Sequence, residues 1–160
     1  MVLKAFLDTN IILDVFHRDR PFHLSAKELF SYLDTNKFEA FYSESVLTSM
    51  TYILRKAMTP PQINSAIKYL IHKVHLLPCF QSLIQSSLAK NPPDFEDALL
   101  YEIALHHQLD YFITSNIKDF KTIEMAALPV VKAEVFNNIL KKEEKYNYGN
   151  YDFVYSPNEK

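Results

Sequence analysis

The sequence predicts an α/β domain: a central parallel sheet with helices packed on both faces. Two observations carry that prediction. Short apolar runs of strand length, the first from Val2 to Leu7, alternate with longer segments whose apolar residues recur at helical spacing. Strands that alternate with helices in this way pair in parallel through helical crossovers. The chain also has a single glycine in 160 residues. That removes the glycine-rich phosphate loops of the nucleotide-binding α/β folds, since neither G-x-G-x-x-G nor a Walker A motif can be formed.

Taken in order, Val2 to Leu7 is expected to be a buried strand, because its apolar run ends in a polar turn. Asn10 to Phe16 follows as a short helix, with Ile11, Ile12, Val15 and Phe16 at helical spacing, and Arg18 to Pro21 breaks it. Leu24 to Leu33 is amphipathic, with Leu29, Phe30 and Leu33 on one stripe and Lys27 and Glu28 off it. Phe38 to Tyr42 forms the second strand, and Ser43 is placed to cap a helix running to about Met58. Pro60 and Pro61 open the next helix, since proline lacks the N–H that would be unpaired in a first turn.

Val74 to Leu77 is the third strand, and a helix over Phe80 to Leu88 is closed by Asn91, Pro92 and Pro93. A strong helix spans Phe95 to His107. Tyr111 to Thr114 and Pro129 to Val131 are strands, and Val135 to Leu140 supplies the last helical turns. From Lys141 the composition turns to Lys, Glu, Asn and Tyr. The expected division is a domain over residues 1–140 and a flexible tail over 141–160, with Tyr148, Tyr151, Phe153 and Tyr155 as apolar anchors for a partner.

A chain of this length buries roughly 70% of its unfolded surface and needs no covalent staples. Its one cysteine, Cys79, has no partner for an internal disulfide, which fits a reducing compartment. The apolar opening is cut by Lys4, Asp8 and Asp14 and lacks a secretory pattern. No apolar stretch approaches the roughly 20 residues that cross a bilayer. A cytoplasmic protein with no membrane attachment is expected. The formal net charge of -2 argues against a basic RNA-coating protein. Any RNA contact must rest on a local patch and on cations.

In parallel sheets ligands bind beyond the carboxyl ends of the strands. Asp8 stands there, directly after the first strand, where it can cap the following helix or serve a site. Asp94 is placed as an N-cap, and Asp97, three residues on, occupies the acidic position of a capping box. Asp97 also adjoins a face built from Ala98, Leu99, Ile103 and Ala104, where an acid without a cation is costly. Thr114, Ser115 and Asn116 follow another strand, and Asp119 lies three residues further. Three strand ends thus deliver Asp8, Asp94 with Asp97, and Asn116 with Asp119 to one edge. Hard oxygen donors of this kind suit Mg²⁺ or Mn²⁺. The histidine pairs His72/His75 and His106/His107 fit packing or surface roles better than a zinc site.

At this point the residues are similar to a known family. FLDTNIILDVF resembles the opening motif of PIN domains, and DFEDALLYEIALHHQLDYFITSNIKDF resembles their second half. FEAFYSESVLTSMTYILRK resembles the strand and helix between. The likeness covers about Met1 to Val131 and is greatest to the toxin-like PIN ribonucleases of bacterial toxin–antitoxin pairs. It implies an α/β/α sandwich and an endoribonuclease that uses Mg²⁺ or Mn²⁺. Asp8, Asp97 and Asp119 would be metal ligands, with Asn116 in the catalytic set. Asn10, Thr114, Asp94 and Ser49 would support them. The implied partners are an RNA substrate, an antitoxin and a second copy in a homodimer. Arg18, Arg20, Lys118 and Lys121 are the candidate RNA contacts.

One position departs from the pattern. Such nucleases usually carry Glu six residues after the Ser that opens the middle helix, and here that residue is Ser49. Glu44 lies about 140° around the helix from it. A weak or inactive scaffold that binds RNA or a partner protein therefore stands as the alternative. An aspartyl phosphoryl-transfer enzyme of the haloacid-dehalogenase type would need a second aspartate where Asn10 stands.

Overall fold

A computed structural model describes residues 1–149 of the chain, with side chains through residue 144. Strand β1 (Leu3–Leu7) leads into α1 (Thr9–Phe16) and α2 (His23–Asp34). Strand β2 (Phe38–Ser43) leads into α3 (Glu44–Leu54) and α4 (Pro60–Lys73), and β3 (Val74–Leu77) into α5 (Gln81–Ala89) and α6 (Phe95–His106). After β4 (Tyr111–Ile113) comes a 3₁₀ turn (Ile117–Phe120), then β5 (Val130–Val131) and α7 (Ala133–Gly149).

All pairings are parallel and the sheet order is β3-β2-β1-β4-β5. The chain winds outward from β1 to β3, then crosses back to the other side of β1. The order reverses between β1 and β4, and a crevice opens beyond their carboxyl ends. Asp8 and Thr114 stand at those two ends.

Side chains alternate across a strand, and β4 shows what that does here. Phe112 turns to one face, where it stacks on its register partner Phe6 at 5.2 Å. There it also meets Tyr101 of α6 at 5.7 Å and Phe120 at 4.7 Å. Its neighbour Tyr111 turns to the other face and meets Phe136 of α7 at 5.2 Å, beside Phe38 at 5.1 Å from the same ring. Both faces are covered, so the strands read as unbroken apolar runs rather than alternating ones. The Tyr101 hydroxyl is satisfied in the core, accepting from Met125 N at 2.8 Å and donating to Leu128 O at 2.6 Å.

Three helix ends need the left-handed backbone region that glycine usually fills. With almost no glycine available, Asn36, Asn91 and Gln108 take it, at φ 56°, 46° and 55°. Asparagine tolerates that region; glutamine at position 108 is the costlier choice.

Two boundaries differ from expectation. Helix α3 ends at Leu54 rather than near Met58, because Thr59 must already be extended (φ -74°, ψ 157°) to cap α4 in a capping box with Gln62. Helix α7 does not stop at Leu140 but continues to Gly149. Lys141 pairs with Glu28 at 2.7 Å, and Glu144 with Lys37 at 3.0 Å, tying the added turns to α2 and to the approach to β2. Residues 141–149, expected to belong to the tail, are thus part of α7. Residues 150–160, with Tyr151, Phe153 and Tyr155, lie outside the described residues, as does the Tyr148 side chain.

Phe112 is fully buried where the sheet meets α6. Phe112→Ala should lower the unfolding free energy by about 3–5 kcal/mol, read from urea denaturation followed by circular dichroism.

Candidate active site

The two oxygens of Asp8 are held separately. Oδ1 accepts from Thr9 N at 2.7 Å and so caps α1; Oδ2 accepts from the Thr114 hydroxyl at 2.8 Å, across to the end of β4. The residue is 4% exposed. Thr114 Oγ1 also lies 3.3 Å from Asn10 Oδ1, but its single proton serves the shorter contact to Asp8. Asn10 Oδ1 accepts from Ser115 N at 3.3 Å, and Asn116 N donates to Thr114 Oγ1 at 3.0 Å. The strand–turn segment after β4 is thereby laced to the start of α1.

The lacing continues into a group that the sequence did not single out for a role. Asp14 is fully buried. It accepts from Ser115 Oγ at 2.5 Å and from Arg20 Nε at 2.7 Å, and its carbonyl lies 2.8 Å from His23 Nδ1. Arg20 neutralises this buried carboxylate. Its guanidinium, expected at an RNA contact, is thus engaged within the chain. Arg18 lines a separate pocket with His23, Lys27, Phe30 and Tyr69.

The opposite wall comes from α6 and α3. Asp94 accepts from Asp97 N at 3.1 Å, the N-cap geometry expected of it. Beside Asp97, Glu96 reaches α3, where its Oε1 accepts from the Ser49 hydroxyl at 3.0 Å. These walls enclose an open cleft of about 690 Å³. Its charged lining is Asp8, Glu96 and Asp97; Thr9, Asn10, Thr48 and Ser49 are polar, and Leu13, Tyr52 and Ile53 form an apolar side. Glu44 lies outside this lining, in a pocket with Leu76 and Cys79.

Asn116 and Asp119 sit differently. The Asn116 amide donates to the Asp119 carboxylate within the 3₁₀ turn. Asp119 is exposed and does not line the cleft, but its charge acts on Asp97. Lys118 and Lys121 are exposed on either side of it.

The acids disfavour one another. Burial pushes the Asp8 carboxyl up to about 6, against the hydrogen bonds from Thr114 and Thr9, and the Glu96 charge adds to the rise. Burial also pushes Asp97 up to about 7, helped by the charges of Asp8, Asp94, Asp119 and Glu96. Among the described residues no ion pair engages Asp8, Glu96, Asp97 or Asp119. Nor do three acid, histidine or cysteine side chains stand close enough, as they lie, to enclose an ion. The donor set still fits a hard divalent cation. It is all oxygen and negatively charged, and Thr9, which lines the same cleft, has a buried Oγ1 without a partner.

The family model for the PIN domain matches residues 4–118, most of the chain. The chain belongs to the PIN domain family. It is 28% identical over 130 residues to Ribonuclease VapC1 of Aquifex aeolicus (strain VF5), a match that spans 78% of this chain and 89% of the relative. Among solved structures, it superposes on VapBC2 from Rickettsia felis, bound to a DNA fragment from its promoter, with TM-score 0.61 and 18% identity. That match covers 81% of this chain and 98% of the other. A toxin–antitoxin complex from Klebsiella pneumoniae gives TM-score 0.59 and 23% identity over 81% and 97%. At those identities the two structures establish the PIN fold.

The residue of this PIN domain that sequence reasoning missed is Glu96. The signal was present: it is the residue before Asp97, in the same first helical turn. Asp94 and Asp97, on either side of it in that turn, drew the cap assignments.

The pH dependence follows from the raised aspartates. Between about pH 4, where a free aspartate titrates, and pH 7 the metal-free folded chain holds more protons than the unfolded one. Stability therefore falls as pH rises through that window. Asp97→Asn should raise the melting temperature of the EDTA-treated protein at about pH 8 and change it little at about pH 4. Equal shifts at both pH values in a circular dichroism melt would refute mutual repulsion as the cause.

Proposed function

We propose that this PIN domain is an endoribonuclease dependent on Mg²⁺ or Mn²⁺, and the toxin of a toxin–antitoxin pair. One observation carries the reading: Asp8 and Asp97 converge from two strand-end segments on one open cleft, and among the described residues no lysine or arginine lines it or pairs with them. The similarity to a protein named as a ribonuclease supports the reaction class.

Asp8 and Asp97 would hold the ion. When bound, it supplies the positive charge and the activation of water that phosphodiester hydrolysis requires. The chain's own groups prepare for it. The Thr114 hydroxyl and Thr9 N–H fix the two Asp8 oxygens, and Asn10 fixes the turn that carries Thr114. Such supporting groups set ligand orientation. Asp119 adds charge near Asp97 while held by Asn116. Leu13, Tyr52 and Ile53 offer an apolar wall for a base, with the Arg55 guanidinium over the Tyr52 ring at 4.1 Å. Lys118 and Lys121 offer phosphate contacts beside Asp119.

Structural relatives described as toxin–antitoxin complexes support an antitoxin as partner. The family resemblance extends the reading to a homodimer and to the cytoplasm, where RNA is found. Among the described residues no helix is long and apolar enough to cross a membrane.

Mn²⁺ at about 100 times its dissociation constant should stabilise the wild type by about 2.7 kcal/mol. Asp8→Asn should remove both that stabilisation and the cleavage of a fluorogenic RNA, while keeping the cap of α1. A variant that keeps both would overturn the assignment. Lys118→Ala with Lys121→Ala should weaken RNA binding and flatten its logarithmic salt slope by about 1.4, two single-strand phosphate contacts. An unaltered slope would route the RNA elsewhere.

A further inference from the structure

We infer that Glu96 is this chain's replacement for the acid absent from α3, supplying the third carboxylate of the cation site with Ser49 as its positioning residue. The inference rests on the metal-dependent reading above. Position 49 does face the cleft, as its place among the lining residues shows. A serine there brings no charge. It brings a hydroxyl, and that hydroxyl is donated to a carboxylate 47 residues away on another helix, Glu96 Oε1 at 3.0 Å.

The ordinary account of an acid in a first helical turn is the helix dipole or a cap. Both cap positions of α6 are already taken, since Asp94 is the N-cap and Asp97 the third helical residue whose N–H it accepts. Glu96 lies between them, free of that duty, and its side chain spans to α3 instead. Its charge is felt at both Asp8 and Asp97. A glutamate has one methylene more than an aspartate, enough reach to approach from α6 a region that α3 would otherwise supply. The small Ser49 leaves it room. A glutamate at 49 would place a like charge against it. The pair therefore behaves as an exchange: the carboxylate moves from one wall of the cleft to the other, and the total charge of the site is kept.

The test is Mn²⁺ affinity of the full-length chain by isothermal titration calorimetry, with EDTA melts to confirm folding and RNA cleavage in parallel. Glu96→Gln should weaken Mn²⁺ binding about tenfold or more, and Ser49→Ala less, while Ser49→Thr, which keeps the hydroxyl, should bind as wild type does. Adding Ser49→Glu to Glu96→Gln should restore affinity to near the wild-type value, whereas Ser49→Glu alone should not improve it. If Glu96→Gln binds Mn²⁺ as tightly as wild type while Asp8→Asn loses it, the replacement is wrong and the nuclease reading survives. If Ser49→Glu alone tightens binding and speeds cleavage, position 49 is a true vacancy and the replacement is again wrong. If the wild type neither binds Mn²⁺ nor cuts RNA, both fail together.

Discussion

The hydrogen bond from Thr114 to Asp8 joins two residues 106 positions apart at the carboxyl ends of adjacent parallel strands. Much of the site depends on it. It holds one oxygen of Asp8 while Thr9 N holds the other, so a nearly buried carboxylate keeps one orientation. The same threonine accepts from Asn116 N, which starts the turn carrying Asp119. The bond can form only because β1 and β4 are neighbours in the sheet, with Leu7 opposite Ile113. Sheet order and site geometry are therefore one constraint.

That geometry works against stability. Asp8 and Asp97 are placed where desolvation and mutual repulsion favour their neutral forms, and each added acid increases the strain. The fold tolerates this because the aromatic core behind the strand ends is continuous: Phe6, Phe112, Tyr101 and Phe120 pack directly beneath the sheet's active edge. Asp14 shows the other solution to a buried acid. It lies one turn along α1 from Asn10, is fully buried, and is neutralised by Arg20. Of two buried acids on one short segment, one has a guanidinium and the other does not. Among the described residues the acid without a cation lines the cleft, and that contrast is what a site built for an external cation would show.

The sheet, the helix order and the placing of Asp8, Asp97, Asn10 and Thr114 were legible because they follow from local signals: apolar runs, a polar residue at each strand end, and the helical period. What was not legible depends on contacts between distant segments. Arg20 looked like a surface cation, since nothing local shows that the turn from Arg18 to Pro21 folds it back onto Asp14. The extent of α7 was missed because its last described turns are fastened by Lys141 and Glu144 to partners more than 100 residues earlier. Glu96 was missed for a related reason. A first-turn acid is so common that only its partner distinguishes it, and the partner is on α3.

The Ser49–Glu96 contact also bears on how such sites can vary. In a parallel sheet the active edge is built from several segments that converge on one cleft, and a cation there responds to the number and placement of oxygens rather than to which helix carries them. Losing an acid from α3 removes a ligand only if no other wall can reach the vacated space. Helix α6 can, because its N-terminus is already anchored beside the cleft by Asp94 and Asp97, so one longer side chain in that turn suffices. A motif comparison position by position scores this as a missing catalytic residue. Counted by charge, the cleft is lined by three carboxylates, Asp8, Glu96 and Asp97, and the serine in the expected place of the acid donates its hydroxyl to one of them.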